Sequence, residues 1–213
     1  MGKIIFKNFV GLTAALLVLT LAGCHYSRQH ATKVRNTPYC FSKYFKPDTD
    51  IIKHDGYYSF HDSTWATSGY PARLILSDFR ENYIFYEDGL FLTFINDDLK
   101  HAFWGSYHIV GDTIKSQFFS PPINIAWGKG EIWFKKNDNN TLQKIGLAWE
   151  RPMSAADIRR FKLANKDSHG NLGTFIRSNN LPPPDKSWLL KRKWFWCNKE
   201  EYVKWKKVHN TNN

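Results

Sequence analysis

The 213-residue sequence is poor in acid, in sulfur and in long apolar runs. Nineteen Asp and Glu stand against thirty Lys and Arg, a net charge of +11. Three cysteines are too few for a disulfide-dense scaffold. Mean hydropathy is −0.50, which excludes a protein that crosses a membrane many times. There is no Gly-X-Y period and no heptad run. No His-Glu-x-x-His, no Cys pair at ligand spacing and no paired-carboxylate motif is present, although there are eight histidines. Gly128-Lys129-Gly130 lacks the upstream Gly and the following Ser or Thr of a P-loop. Glu87, Asp88, Asp97 and Asp98 sit at turns, where turn chemistry explains them. No catalytic residue, metal or cofactor is therefore expected.

What the chain has in excess is aromatic residues, 16% with nine Trp. It also has a strongly organised beginning. Lys3 and Lys7 precede an uncharged, mostly apolar run from Phe9 to Ala22. That run is shorter than the ~20 residues a membrane-spanning helix needs, and it fits the apolar region of a signal peptide. Phe6 stands where N-myristoylation wants Ser or Thr.

The run ends Leu21-Ala22-Gly23-Cys24, which resembles the lipobox of bacterial lipoproteins. The resemblance implies removal of residues 1–23, a diacylglyceryl thioether on Cys24 and acylation of its new amine. Multiple acyl chains on one residue meet the two-signal requirement for stable anchoring. His25, rather than Asp, follows the cysteine, which favours the outer membrane. A cell-envelope location facing the periplasm or exterior is expected.

Residues 24–50 are polar, without periodicity, and interrupted by Pro38 and Pro47. They read as a tether whose Tyr39-Cys40-Phe41 and Tyr44-Phe45 clusters dock onto the domain. Residues 51–150 read as antiparallel β. Strand-like runs at 56–60, 73–76, 83–86, 90–95, 102–110, 113–119, 131–135 and 142–149 are separated by turn signals. Glu87-Asp88-Gly89 and Asp138-Asn139-Asn140 are the clearest turns. Alternation is plainest at 103–110, where Phe103, Gly105, Tyr107 and Ile109 share a face.

The series Asp55-Gly56-Tyr57-Tyr58, Phe85-Tyr86-Glu87-Asp88-Gly89-Leu90-Phe91 and Trp104-Gly105-Ser106-Tyr107-His108-Ile109-Val110-Gly111-Asp112-Thr113-Ile114 resembles the lipocalin-like domains of bacterial lipoproteins. The resemblance spans about 100 residues and implies a mainly β fold. Its form is an antiparallel up-and-down meander of about eight strands closing as a barrel. Any ligand would be small and apolar, with Tyr86, Phe94, Phe103 and Tyr107 as candidate lining residues.

Residues 151–213 read as a basic, mostly non-β extension with short helices. Ser154 and Asp157 form a capping-box pair opening a helix over 155–164. Leu181-Pro182-Pro183-Pro184-Asp185 is a stiff connector. Asn198 can cap a helix to Lys207 with Tyr202, Trp205 and Val208 on one stripe. The block Trp188-Leu189-Leu190-Lys191-Arg192-Lys193-Trp194-Phe195-Trp196-Cys197 admits two readings. Its rings either close over the barrel or meet an anionic envelope component. An exported lipoprotein has little access to nucleic acid, so no nucleic-acid partner is expected. Cys40 and Cys197 either pair, tying the tether to the extension, or remain two buried thiols. Charge is uneven: +3 over residues 24–50, −3 over 51–150 and +9 over 151–213.

These readings predict a lipid-anchored, non-enzymatic binding module. The alternative is a structural lipoprotein whose basic flanks contact lipopolysaccharide, peptidoglycan or an envelope partner.

Overall fold

A computed structural model describes residues 39–46, 51–68, 73–119, 128–166 and 169–210. The leader and Cys24 lie outside the described residues. Eight strands close in sequence order into one antiparallel up-and-down barrel. They are β1 (Gly56–Ser68), β2 (Arg73–Phe85), β3 (Leu90–Ile95), β4 (Asp98–Val110), β5 (Thr113–Phe119), β6 (Lys129–Lys136), β7 (Thr141–Trp149) and β8 (Leu172–Arg177). β8 closes the ring by pairing with both β7 and β1.

The expected number of strands is present, but seven rather than eight lie within 51–150. The runs at 73–76 and 83–86 are two ends of the single strand β2. Their polar interval is held by a continuous ladder to β1, from Tyr58↔Tyr83 to Ser68↔Arg73. The eighth strand comes from the segment after residue 150, which read as mostly non-β. β8 is a weak sequence signal because it is short and four of its six residues are exposed. β1 meets β8 only over Gly56–Phe60, and β2 meets β3 only over Glu81–Phe85. The rest of the β1–β2 hairpin therefore runs past the barrel rim as a two-stranded ribbon.

Alternation divides the aromatics into two cores. Tyr58, Phe60, Tyr83, Phe85, Phe91, Tyr107 and Phe134 point into the barrel and are almost completely buried. Ile84, Tyr86, Leu90, Leu92, Phe94, Trp104 and Phe119 point outward from β2–β5 and are buried as well. Their cover is the C-terminal segment, whose Leu189, Leu190, Trp194, Phe195 and Trp196 pack on them. Phe195 has no exposed surface, and the Trp196 indole N–H donates to the Leu190 carbonyl at 2.9 Å. The Trp-rich block is thus a core layer, with its rings inward and Lys191, Arg192 and Lys193 exposed.

Two helices follow the meander. α1 (Ala155–Ala164) opens on the Ser154–Asp157 capping box and packs on β7, where Gly146 leaves room for Met153 and Ile158. α2 (Lys199–Asn210) starts where the Asn198 side chain accepts the Glu200 N–H at 2.8 Å. Its inner stripe is Tyr202 and Trp205, and does not include Val208. Tyr202 and Trp205 lie on Trp196, His209 stacks on Trp205 at 4.3 Å, and Val208 is exposed.

Residues 39–46 form a strap between the barrel and this layer. Phe41 and Trp196 pair as a parallel bridge, and Cys40 is disulfide-bonded to Cys197 with their Cα atoms 4.9 Å apart. Phe45 then packs against Gly89 in the β2–β3 turn. Gly89 has φ +87°, which only glycine adopts without strain. Ile52, 1% exposed, joins the interior core at the same end.

Candidate functional site

The two ends of the barrel differ. The end bearing the β2–β3, β4–β5 and β6–β7 turns is closed by the Phe45 and Ile52 side chains. Tyr107 seals it further, donating its hydroxyl to the Tyr86 carbonyl at 2.8 Å, with the Phe45 ring edge-on at 5.4 Å. Burial raises the Tyr107 pKa, which keeps the phenol a neutral donor. In the middle, Phe60, Tyr83, Phe85 and Phe134 interlock at centroid distances of 4.9 to 5.7 Å. The interior here is side chain, not space.

The opposite end holds a cavity of about 80 Å³. It is lined by Tyr83, Thr93, Phe103, Phe118, Ile132 and Leu147, with Glu81, Ile95 and Trp149 toward the mouth. Ile95 is 41% and Trp149 53% exposed, so the rim offers apolar surface to water. A full ligand pocket runs to roughly 300–1,000 Å³. This cavity is several times smaller, on the scale of one ring or one short branched chain.

A charged pair sits beside it. Lys144 is 9% exposed and donates to Glu81 Oε2. Its ammonium lies 5.1 Å from the Phe60 ring centroid and 5.6 Å from that of Tyr83. The Tyr83 hydroxyl donates to the same Glu81 oxygen at 2.6 Å. Burial first, and then the Glu81 charge, raise the Tyr83 pKa. Glu81 Oε1 carries no hydrogen bond among the described residues, so the mouth presents one open carboxylate acceptor beside an apolar cavity.

A bulge lets Leu147 share the interior with Lys144. β6 and β7 pair Phe134↔Lys144 and then Trp133↔Gly146, which leaves Ile145 as the extra residue. One extra residue reverses the alternation beyond it. Leu142 is therefore inward on one side of the bulge and Leu147 on the other.

The four candidate lining residues do not come together. Phe103 lines the cavity, and Tyr107 faces inward but plugs the other end. Tyr86 and Phe94 point outward: Tyr86 stacks on Trp104 at 5.7 Å and donates to the Pro182 carbonyl at 2.6 Å. They were legible as buried but not as outside, because both barrel faces are apolar. Glu81, Thr93, Ile132, Leu147 and Trp149 were not singled out by sequence. Ile132 shares a face with Phe103 through the strand registers, a weak signal, whereas Leu147 carries none without knowledge of the bulge.

Two of the described histidines have local partners. The His54 Nδ1 lies 2.9 Å from the Phe85 carbonyl, and His101 pairs with Asp98 at 2.6 Å. Among the described residues no three His, Cys, Asp or Glu side chains are placed to hold a metal ion. Among them, too, no helix is long and apolar enough to cross a membrane.

Comparisons with protein families, with curated proteins and with solved structures returned no match.

Proposed function

We propose that this chain is a lipid-anchored, non-enzymatic binding module of the cell envelope, with its ligand site at the open mouth of the barrel. The observation that carries the ligand site is the cavity between Phe103, Phe118, Ile132 and Leu147, with Glu81 at its edge. The ligand is a small amphiphile, or the small end of a larger molecule. An aromatic ring or short branched chain enters the cavity, and a hydroxyl or amine beside it donates to Glu81. Long acyl chains and haem are excluded, because Tyr83, Phe85 and Phe134 fill the space below. The anchor is Cys24, and with His25 behind it the outer membrane is the favoured location.

The test is a titration of the mature protein with benzyl alcohol, read from the methyl resonances of Ile95, Ile132 and Leu147. The expected result is saturable shifts at these methyls that are lost in Leu147→Trp, which fills the cavity. Toluene, which lacks the donor, binds more weakly. Shifts that do not saturate, or that survive Leu147→Trp, contradict the proposal. Mass spectrometry of the mature N-terminus reads the anchor separately, and an unmodified Cys24 overturns that part alone.

A further inference from the structure

The C-terminal layer has an outer surface as well as an inner one. Its rings are used up in packing, so its exposed side is set by what lies between them. Lys191, Arg192 and Lys193 are exposed on one turn of the layer. On α2, Lys199, Lys204, Lys206 and Lys207 are exposed, with Val203 43% and Val208 63% exposed among them. The two groups adjoin, since the Tyr202 hydroxyl of α2 reaches the Lys191 carbonyl at 3.5 Å. The strap extends the same surface. The Lys43 N–H donates to Glu201 Oε2 at 2.8 Å, and the Ser42 hydroxyl donates to the same carboxylate. This places exposed Lys43, Lys46 and Tyr44 next to α2, with Tyr44 73% exposed.

The result is a face with nine exposed Lys and Arg. Two carboxylates lie in α2, and one of them, Glu201, is engaged by the strap. The face also carries a tyrosine and two valines. Cations interspersed with a few amphipathic or apolar side chains match an anionic bilayer surface. There Lys and Arg meet headgroup phosphates and aromatic rings sit at headgroup depth.

Tether length points to the same occupant. The described residues begin at Tyr39, and the neighbouring Cys40 is fastened to Cys197 within this layer. Fourteen residues lie between Cys24 and Tyr39, a reach of at most about 50 Å when fully extended. A chain anchored at Cys24 thus reaches, one residue after Tyr39, the disulfide that ties the strap to this layer.

We infer that this face, comprising the strap, the Lys191–Lys193 turn and α2, docks on the anionic phospholipid surface of the membrane that carries the anchor. The barrel then presents its far wall, with α1 on β7, to the aqueous space. The tether part of this inference rests on the Cys24 anchor proposed above, but the surface itself is tested without it.

The experiment uses the mature chain from residue 24 with Cys24→Ser, so that no lipid is attached. Co-sedimentation is measured with phosphatidylcholine vesicles containing about one-third phosphatidylglycerol and with pure phosphatidylcholine. The expected result is binding to the anionic vesicles only, lost as salt is raised toward ~1 M. A patch variant, Lys191→Ser, Lys193→Ser, Lys204→Ser and Lys206→Ser, loses roughly fivefold in affinity per lysine, several hundredfold in all. An equal-charge control on α1 and the turn after it, Arg159→Ser, Arg160→Ser, Lys162→Ser and Lys166→Ser, stays within about threefold of the parent.

Lysine acetylation of the unmutated chain gives a second reading that needs no variant. Vesicles should protect Lys191, Lys193 and Lys206 and leave Lys162 and Lys166 reactive. Equal losses in the two variants, uniform protection, or no binding to anionic vesicles overturns the inference. None of these outcomes bears on the mouth ligand or on lipidation of Cys24.

Discussion

Lys144 donates its ammonium to Glu81 inside the barrel, on the rings of Phe60 and Tyr83, at the boundary between filled interior and open cavity. A charge placed so deep is tolerated only because a carboxylate and two ring faces meet it.

Breaking that pair should cost more than removing it. Lys144→Met leaves the Glu81 carboxylate with only the Tyr83 hydroxyl, and stability should fall by about 2 kcal/mol, less than for a fully enclosed pair because Glu81 is partly solvated. Lys144→Met combined with Glu81→Leu should recover most of the loss. Urea denaturation of the four proteins checks this; additive losses would show that the two residues do not act as a pair.

The C-terminal layer should behave as core. Phe195 is fully buried between the strap and the outer face of the barrel, stacked on Phe41 at 5.8 Å. Phe195→Ala should cost about 3–5 kcal/mol. Val203→Ala, on the exposed side of α2, should stay within about 0.5 kcal/mol. Similar small losses at both positions would mean that the layer is only loosely applied.

Reduction should act through the unfolded chain. The Cys40–Cys197 bond closes a sequence separation of 157 residues. On chain-entropy grounds its loss removes up to about 5 kcal/mol. Cys40→Ser with Cys197→Ser should therefore lower the melting temperature markedly, to the value of the reduced parent. A parent insensitive to reductant contradicts the pairing.

Acid should expose a second weakness. Burial lowers the His108 pKa below its ordinary 6.5, with the Phe45 ring 5.4 Å and the Tyr39 ring 6.2 Å away. The folded state thus disfavours the protonated ring relative to the unfolded chain. The associated stability is present above about pH 6.5 and is lost as pH falls below it. His108→Gln should flatten that part of the stability–pH curve; an unchanged curve assigns the effect elsewhere.

Much of this architecture was legible in the chain. The Glu87-Asp88-Gly89 turn, the alternation from Phe103 to Ile109 and the Ser154–Asp157 capping box each follow from local chemistry that the fold does not override. Three features were not legible, for physical reasons. The faces of β2 and β3 could not be told apart, because Tyr86 and Phe94 are as apolar as Tyr83 and Phe91, and their cover lies a hundred residues later. β8 is short and half solvated, so Leu172–Arg177 carries little period. The Ile145 bulge reverses the phase of β7, which puts Leu147 inside together with Lys144, against a simple alternation. The Leu147 wall of the candidate site depends on the last of these, while the rest of its lining, Trp149 apart, comes from five other strands that no local pattern brings together.

The most direct measurement is a crystal of the mature domain soaked with 4-bromobenzyl alcohol and examined for bromine anomalous scattering. The predicted result is one dominant peak in the cavity between Phe103, Phe118, Ile132 and Leu147, with the ligand hydroxyl within hydrogen-bond reach of Glu81. A cavity left empty while bromine is found elsewhere, or a ring displaced into the space between Tyr83 and Phe134, would contradict the account.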